Sequence, residues 1–233
     1  MSNKVCAVLG AGPGNGAAIA SKFSNEGYTV ALCARNEERL KDIASDIAGA
    51  HIYAYDVQDV GCADAVFTQI KNELGPVDIM VYNAGAGQFA NIDDATVDAF
   101  QSAWEVNARG LFAATKCALP QMRSRGGGSI IVIGATASLK AGANFAPFAS
   151  AKSAQRALAQ SMAKHLGPEK IHVAYVVLDG VVNLERTRQR MPDAPDEFFL
   201  EPAQIADAVY YLSHQPQQAW SFELDLRPFG EKW

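Results

Sequence analysis

The sequence predicts an α/β fold, a single domain built on a doubly wound parallel sheet of about seven strands with helices on both faces. Short apolar runs alternate with helical segments along the whole chain, which is the pattern of strands joined by crossover helices. Glycines follow the first apolar run closely and lead into a helix. The 233 residues are 49% hydrophobic and contain no linker-like stretch, so residues 1–233 are expected to share one core.

The glycine turn between the first strand and the first helix organises the chain. The strand covers Val5–Leu9, and a second strand, Thr29–Ala34, completes a βαβ unit. Glycines allow the backbone angles of the turn, and without a Cβ a pyrophosphate can reach the free N–H groups at the positive end of the helix. We therefore favour a Rossmann-type dinucleotide site over an ordinary strand-to-helix turn. Its candidate cofactor-binding residues are Gly10, Gly12, Pro13, Gly14, Asn15 and Gly16.

The later elements follow from apolar periodicity and from Gly and Pro at their ends. Helices are predicted from the glycine turn to about Glu26 and over Glu37–Ile47, Cys62–Leu74, Val97–Arg123, Ala146–Leu166 and Ala203–Leu212. Further strands are predicted over Ile52–Tyr55, Val77–Tyr82, Ser129–Ile133, Ile171–Leu178 and Ser221–Leu226. The segment from Gly180 to Pro202 is predicted to be an irregular, mobile flap over the site.

Charge and composition exclude several classes of function. The net charge is -5 and no large Lys/Arg cluster occurs, which argues against nucleic acid and anionic membranes as partners and leaves small molecules and copies of the chain. No apolar run could span a membrane, and the first strand begins directly after Lys4, so we expect no signal peptide and a cytoplasmic location. Cys6, Cys33, Cys62 and Cys117 lack metal-ligand spacing, so we expect small buried thiols and no metal site.

Arg35 follows the second strand, where the adenosine ribose of a dinucleotide would lie. An acidic residue there would bind both ribose hydroxyls and repel a 2′-phosphate, whereas this chain has Ala34 followed by a cation. The sequence therefore favours NADP(H) over NAD(H) as the cofactor. Alternatively, Arg35 is a surface charge at the start of a helix, where Glu37 and Glu38 could pair with it.

Taken together, these motifs resemble those of the short-chain dehydrogenase/reductase family over essentially the whole chain. The spacing of Gly10, Gly14 and Gly16 is similar to that family's phosphate-binding turn, although Leu9 stands where a Thr is usual. The residues that resemble its adenine-binding pair and its Asn-Ala-Gly motif are Asp56, Val57, Asn83, Ala84 and Gly85. For Asp56, a turn-forming role explains the sequence nearly as well. The resemblance implies an oxidoreductase that transfers hydride between a nicotinamide cofactor and a small carbonyl or related substrate.

The resemblance breaks down at the groups that handle the proton. Asn107 and Lys152 stand where the family has its active-site Asn and Lys, but Phe148 occupies the Tyr position and Ala135 the Ser position. In the family, the Lys lowers the pKa of the Tyr four residues before it, and the Ser hydrogen-bonds the substrate oxygen. Loss of such a positioned acid typically costs about a hundred- to ten-thousand-fold in rate. The resemblance still implies that Lys152 binds the nicotinamide ribose.

Other groups are candidates to replace the missing hydroxyls. Ser138 could donate to the substrate oxygen, although a local role in binding loop backbone is simpler for both Ser138 and Thr136. Asp179 and Gly180 stand where the family has Pro-Gly, and a buried carboxylic acid there could supply a proton, with a turn-capping Asp as the simpler explanation. Gly180 and Val182 are expected to contact the cofactor.

Two functions stay open. One is an NADP(H)-dependent oxidoreductase in which Lys152, Ser138, Asn107 or bound water manages the proton. The other is a catalytically silent NADP(H)-binding sensor or scaffold protein. A further set of residues could line an apolar pocket or, equally well, belong to the hydrophobic core. These are Phe89, Phe145, Phe148, Met191, Phe198 and Phe199.

The resemblance also implies a homodimer or homotetramer that pairs long helices across a twofold axis. The small or soft residues that could pack there, or equally face the interior of the chain, are Ala149, Ser153, Ala157 and Met162. A second contact could involve the strand Ser221–Leu226 and the aromatic tail with Phe229 and Trp233.

Overall fold

The structure, a computed structural model, describes residues 4–230 of the chain. The strands, numbered in chain order, are β1 (Val5–Leu9), β2 (Thr29–Ala34), β3 (Ala50–Ala54), β4 (Val77–Tyr82), β5 (Gly128–Ile133), β6 (Ile171–Leu178), β7 (Val181–Val182), β8 (Phe199–Leu200) and β9 (Glu223–Leu226). The helices are α1 (Asn15–Asn25), α2 (Glu37–Ser45), α3 (Ala63–Glu73), α4 (Val97–Trp104), α5 (Gly110–Arg125), α6 (Ala146–Leu166), α7 (Glu185–Arg190) and α8 (Pro202–Ser213).

One parallel sheet of seven strands, in the order β3-β2-β1-β4-β5-β6-β9, forms the centre of the molecule. The chain pairs β1 with β2 on one side and with β4 on the other, so the direction of winding reverses beside β1. In such sheets, ligands bind in the crevice at the carboxyl ends of the strands where the winding reverses. The glycine turn follows β1 and therefore lies at this crevice. The predicted doubly wound parallel sheet is confirmed.

Two apolar layers hold the helices on the sheet. Helices α3, α5 and α6 cover one face with side chains that include Phe67, Ile70, Leu111, Met122 and Leu166. Helices α1, α2 and α8 cover the other face with side chains that include Ile19, Phe23, Leu40, Ile205 and Leu212. Each such side chain contributes about 1.5–3 kcal/mol when fully buried, so both faces of the sheet stabilise the frame that carries the site.

The predicted long helix over 97–123 is interrupted. Helix α4 ends at Trp104, a π-helical turn covers Glu105–Arg109, and α5 then continues to Arg125. Such widened turns change the main-chain hydrogen bonding locally, and they are frequent at functional sites. Asn107, one of the predicted site residues, lies within this interruption.

Three strands have different ends from those predicted, and the smallest difference is in β5, which begins at Gly128, one residue before the predicted Ser129. β3 begins at Ala50, before the predicted start at Ile52, because Ala50 pairs with Val30 of β2. β9 begins at Glu223, after the predicted start at Ser221. Side chains bind the backbone of Ser221 instead, since Gln215 Oε1 accepts from its N–H at 2.7 Å and the His172 ring lies 2.8 Å from its carbonyl oxygen.

The segment 180–202, predicted to be an irregular flap, contains regular elements, so that part of the prediction was wrong. β7 and β8 pair as a small separate parallel sheet, and α7 lies between them in the chain. Arg188 holds this unit together, because its guanidinium lies 4.0 Å from the centre of the Phe199 ring and 2.7 Å from Asp196. The segment is therefore ordered by contacts of individual side chains, which the spacing of apolar residues in the sequence does not predict.

Some predictions of burial need correction. Cys6 and Cys33 are buried and burial raises the pKa of both thiols, but Cys62 and Cys117 are only partly buried at the edge of the core. Ala149 and Met162 face the interior of the chain, which leaves Ser153 and Ala157 as the exposed members of the set proposed for self-association. Trp233 lies outside the described residues. Within residues 4–230, no helix is both long and apolar enough to cross a membrane.

Candidate functional site

The glycine turn joins β1 to α1 through two glycines with positive φ. Gly10 has a φ of 82° and Gly14 a φ of 100°, in a region that side chains other than glycine rarely adopt. The N–H of Gly10 donates to Cys33 O at 2.8 Å, and the Asn83 amide donates to Gly10 O at 2.8 Å. The turn is therefore fixed to the ends of both neighbouring strands.

The start of α1 fits the pyrophosphate of a dinucleotide. Gly14 precedes the helix without a side-chain cap, and no acidic residue lies in its first turn. Asn15 Oδ1 is buried without a hydrogen-bond partner within the described part of the chain. A Cβ on Gly12 would meet no atom within 4 Å, so there is open space beside the turn. An uncapped positive helix end with adjacent space is a site for an anion.

Leu184 lies over the glycine turn. A Cβ on Gly14 would stand 2.2 Å from Leu184 Cδ2, so the two residues are in direct contact. Leu184 immediately precedes α7, and Val182 lies two residues earlier in β7. The contact brings the segment after β6 to the turn that would hold the cofactor.

Arg35 is exposed at the end of β2. Glu37, which could have paired with it, binds Lys41 at 2.9 Å, and Asn36 caps α2 by accepting from the Arg39 N–H. Across residues 4–230, no ion pair involves Arg35. Its guanidinium is therefore available to a ligand phosphate beside β2.

The residues after β3 and β4 have clear local roles. Asp56 Oδ1 accepts from the Gln58 N–H at 3.0 Å, so its turn-forming role is observed. Val57 packs against Gly110 at the start of α5, where a Cβ would stand 2.8 Å from Val57 O. After β4, the backbone of Ala84 packs against Gly10, and Gly85 follows it into the crevice.

Asn107 is fully buried in the π-helical turn. Its Nδ2 donates to Ala103 O at 2.8 Å and to Ala86 O at 3.2 Å, which ties the turn to the segment after β4. Its Oδ1 has no partner among the residues that the structure describes. A Cβ on Gly85 would lie 3.4 Å from this oxygen and 3.6 Å from Lys152 Nζ. Gly85, Asn107 and Lys152 therefore meet at one point.

Lys152 projects from α6 into a dry environment, with 5% of its surface exposed. Its Nζ donates to Ile133 O at 2.9 Å and to Gln155 Oε1 at 3.0 Å. Burial lowers the pKa of this amine from its ordinary value of 10.5 to about 7, because the charged form loses hydration. At neutral pH the amine can therefore both give and accept a proton.

The Ser and Tyr positions of the resemblance carry no hydroxyl near the amine. Ala135 follows β5, and Ser138 Oγ donates back to Ala135 O at 2.7 Å, so Ser138 has the local role. Phe148 lies one helical turn before Lys152 and packs against Phe89 with ring centres 5.2 Å apart. Within the described residues, Lys152 Nζ donates hydrogen bonds to the Ile133 carbonyl and the Gln155 amide, and to no hydroxyl group.

Five of the six residues suggested for an apolar pocket form two groups, and the sixth, Met191, is partly buried at the end of α7. Phe89, Phe145 and Phe148 form one aromatic cluster in which Phe89 and Phe145 are partly exposed beside the site. Phe198 and Phe199 pack against each other beneath α7, and Phe199 is buried. The first group can contact a ligand near Lys152, and the second serves the core of its segment.

Asp179 is bound on both carboxylate oxygens. Thr136 Oγ1 donates to one at 2.5 Å, and Arg227 donates to the other at 2.7 Å. This pairing joins the end of β6 to the loop after β5 and to the residue after β9. These bonds hold the Asp179 side chain between three segments, which supports the simpler, structural role.

Sequence reasoning missed Gln155 and Tyr175. Gln155 is fully buried three residues after Lys152, and Tyr175 on β6 places its hydroxyl 3.5 Å from Gln155 Oε1. Burial raises the pKa of Tyr175 to about 12, so its phenol stays neutral. A Gln on the core face of an otherwise Ala-rich helix was the available signal.

The known proteins that this chain resembles include dehydrogenases and oxidoreductases. Residues 4–194 match the family profile described as short chain dehydrogenase. An uncharacterized oxidoreductase of Staphylococcus epidermidis is 30% identical over 229 residues, which are 98% of each chain. A short-chain dehydrogenase structure from Rhodopseudomonas palustris is 35% identical, with a TM-score of 0.84 over 98% of this chain and 100% of that one. The alcohol dehydrogenase of the archaeon Thermococcus sibiricus, complexed with 5-hydroxy-NADP, is 27% identical with a TM-score of 0.89 over 99% of each chain.

Proposed function

The chain belongs to the short-chain dehydrogenase/reductase family, and from that premise we propose that it is an NADP(H)-dependent oxidoreductase that works without a tyrosine acid. The uncapped start of α1 at the glycine turn carries the proposal, since it suits the cofactor's pyrophosphate. Arg35 is free to bind a 2′-phosphate. The structure of the similar alcohol dehydrogenase from Thermococcus sibiricus contains 5-hydroxy-NADP. NAD(H) is the less favoured cofactor.

The residues divide the work between binding and proton handling. NADP(H) would supply or accept the hydride. Asn83, Ala84 and Gly85 line the crevice beside the glycine turn without bulky side chains, and Asp56, Val57, Gly180 and Val182 complete the proposed binding set. Asn107 Oδ1 offers a buried acceptor next to Lys152. The Lys152 amine binds ribose hydroxyls and exchanges the substrate's proton, for which a pKa of about 7 suits it at neutral pH.

The substrate we propose is small, apolar and carbonyl-containing, or the corresponding alcohol. Phe148 lies one helical turn before Lys152, and Phe89 and Phe145 add partly exposed aromatic surface beside it. Apolar surface at the site favours an uncharged substrate and excludes water from the reacting atoms.

The test is a fluorescence titration with NADPH and NADH, followed by NADPH oxidation assays with aldehydes, ketones, quinones and enones. We expect NADPH binding and slow turnover that is lost in Lys152→Met. Absence of NADPH binding would contradict the cofactor assignment.

A catalytically silent NADP(H) sensor is the second candidate. The contact between Leu184 and Gly14 favours it, because it couples the segment after β6 directly to the proposed cofactor turn. Tight NADPH binding with no turnover in the whole substrate panel, together with altered protease sensitivity near α7, would favour the sensor over the enzyme.

A further inference from the structure

Gln155 bridges two parts of the site inside the core. Its Nε2 donates to the main-chain oxygen of Asn107 at 2.9 Å, and its Oε1 accepts from Lys152 Nζ at 3.0 Å. None of its surface is exposed. One side chain of α6 therefore connects the π-helical turn to the amine of the site.

The orientation of this amide is fixed by its partners. A main-chain carbonyl can only accept, so the amide nitrogen of Gln155 must face Asn107 and its oxygen must face Lys152. The amine then donates to two acceptors, Gln155 Oε1 and Ile133 O. A neutral amine uses both of its hydrogens in these bonds and keeps its lone pair, whereas an ammonium has one hydrogen left.

Gly85 faces the amine without a side chain of its own. A Cβ on Gly85 would lie 3.6 Å from Nζ and 3.4 Å from the unpartnered Asn107 Oδ1. The region beside Gly85 therefore gives the Lys152 amine both space and a polar neighbour, the unpartnered Asn107 Oδ1.

We propose that Gln155 is a positioning residue, which holds the Lys152 amine by its bridge to the Asn107 main chain and so sets how readily that amine carries a proton. The proposal rests on the function proposed above and deepens it. Gln155 acts through Lys152 and touches neither cofactor nor substrate.

The charges around the amine leave this role to Gln155. Burial alone lowers the pKa of Lys152, and no carboxylate of residues 4–230 is paired with it. β6 contributes the neutral phenol of Tyr175. In the π-helical turn, Glu105 and Arg109 pair with each other at 3.1 Å, and the nearest acid on α4, Asp98, is exposed.

The test follows the proton on Lys152 directly. Protein labelled with carbon-13 at the lysine ε-carbons is titrated by NMR, and the Lys152 signal is assigned with Lys152→Met. Three variants are compared with the wild type: Gln155→Leu, Gln155→Glu and Gln121→Leu. Gln121 is the matched control, because it is also buried and also bridges two main-chain groups, Val77 N and Phe67 O, at 3.0 Å each.

We expect the Lys152 midpoint to move in opposite directions in the two Gln155 variants. Gln155→Leu removes an acceptor that favours the ammonium, so the midpoint falls. Gln155→Glu sets a carboxylate beside the amine and raises the midpoint by about 1–3 units. Gln121→Leu leaves it unchanged. Equal midpoints in the wild type and both Gln155 variants would overturn the proposal, and the isosteric Gln155→Glu decides the case if Gln155→Leu does not fold.

This readout is independent of the proposed function, because it needs neither cofactor nor substrate. The pH midpoint of NADPH binding, measured by fluorescence on the same variants, is expected to shift in parallel with the NMR midpoint. A protein that binds no NADPH but shows the opposed NMR shifts would remove the proposed function and leave the bridge intact. A protein that binds NADPH but shows the same NMR midpoint in all variants would keep the proposed cofactor binding and overturn the role of Gln155.

Discussion

Gly10 and Ala84 lie in direct backbone contact: a Cβ on Gly10 would stand 2.5 Å from Ala84 N and 2.6 Å from Ala84 Cα. The contact joins the end of β1 to the segment after β4, where the winding of the sheet reverses. Neither backbone can move far, because Gly10 directly follows β1 and its N–H donates to Cys33 O at 2.8 Å, while the N–H of Asn83, just before Ala84, donates to Leu9 O at 2.9 Å. This contact fixes the width of the crevice that would hold a dinucleotide.

Gly10→Ala should therefore lower the free energy of unfolding by about 2 kcal/mol or more, since it combines a backbone clash with a positive φ. Gly12→Ala is the matched control, because its Cβ would meet nothing within 4 Å. We expect Gly12→Ala to change stability by no more than about 0.5 kcal/mol and to weaken NADPH binding. Urea denaturation measures the first effect and fluorescence titration the second; equal stabilities of the two variants would contradict the contact.

Lys152 should make stability rise with pH. Its pKa is about 7 in the folded protein and 10.5 ordinarily, so between these values the unfolded chain holds a proton that the folded chain has released. The free energy of unfolding then rises by about 1.4 kcal/mol per pH unit in this window, and the penalty of burying the charge is complete below it. Lys152→Met removes this dependence, so its stability relative to the wild type should be greatest below pH 7 and decline toward pH 10. Parallel pH profiles from urea denaturation would show that the amine titrates normally.

Arg35→Asp should shift the cofactor preference from NADPH toward NADH. The substitution replaces a free cation by a carboxylate that repels the 2′-phosphate and can bind ribose hydroxyls. The ratio of the two affinities should change by about tenfold or more, which corresponds to roughly 1.4 kcal/mol. Arg39→Asp, which makes the same charge change at an exposed position within α2, is the control. An unchanged ratio in Arg35→Asp, measured by titration with both cofactors, would refute the role of Arg35.

Ala135→Ser combined with Phe148→Tyr should raise carbonyl reduction by about a hundredfold or more. Residues 148 and 152 lie four apart on α6, so a phenol at 148 shares a helix face with the Lys152 amine. Ala135→Ser with Phe89→Tyr adds the same two hydroxyls but places the phenol elsewhere in the aromatic cluster, and it should stay near the wild-type rate. If NADPH still binds and both pairs are equally slow, the pocket itself has diverged.

Much of the frame follows from local sequence. The bounds predicted for β1, β2, β4, β6 and α6 agree with the structure because each has a continuous apolar run or face that ends at Gly, Pro or a polar residue. The glycine turn was equally readable, since its conformation excludes other residues. Burial and backbone geometry act over a few neighbours, and a sequence displays them directly.

The hydrogen bonds and ion pairs of the site could not be predicted from the local sequence. Asp179 meets Arg227 from a distant part of the chain, and Gln155 meets the Asn107 main chain only because the π-helical turn presents it. Such partners are chosen by tertiary packing, so a residue type at a given position does not identify them. The assignments of Asn107 and Lys152 stay predictions as to function, although the structure brings both to Gly85.

The ion pair between Arg227 and Asp179 would be lost from a protein that is truncated before β9. β9 forms the sheet edge with Glu223 and Asp225 exposed, and such charges discourage other chains from adding a strand. A stop codon before Glu223 removes this protective strand together with Arg227, which bares the apolar β6 to solvent and releases Asp179. We expect such a product to form strand-paired aggregates, which centrifugation of the expressed protein would collect in the pellet.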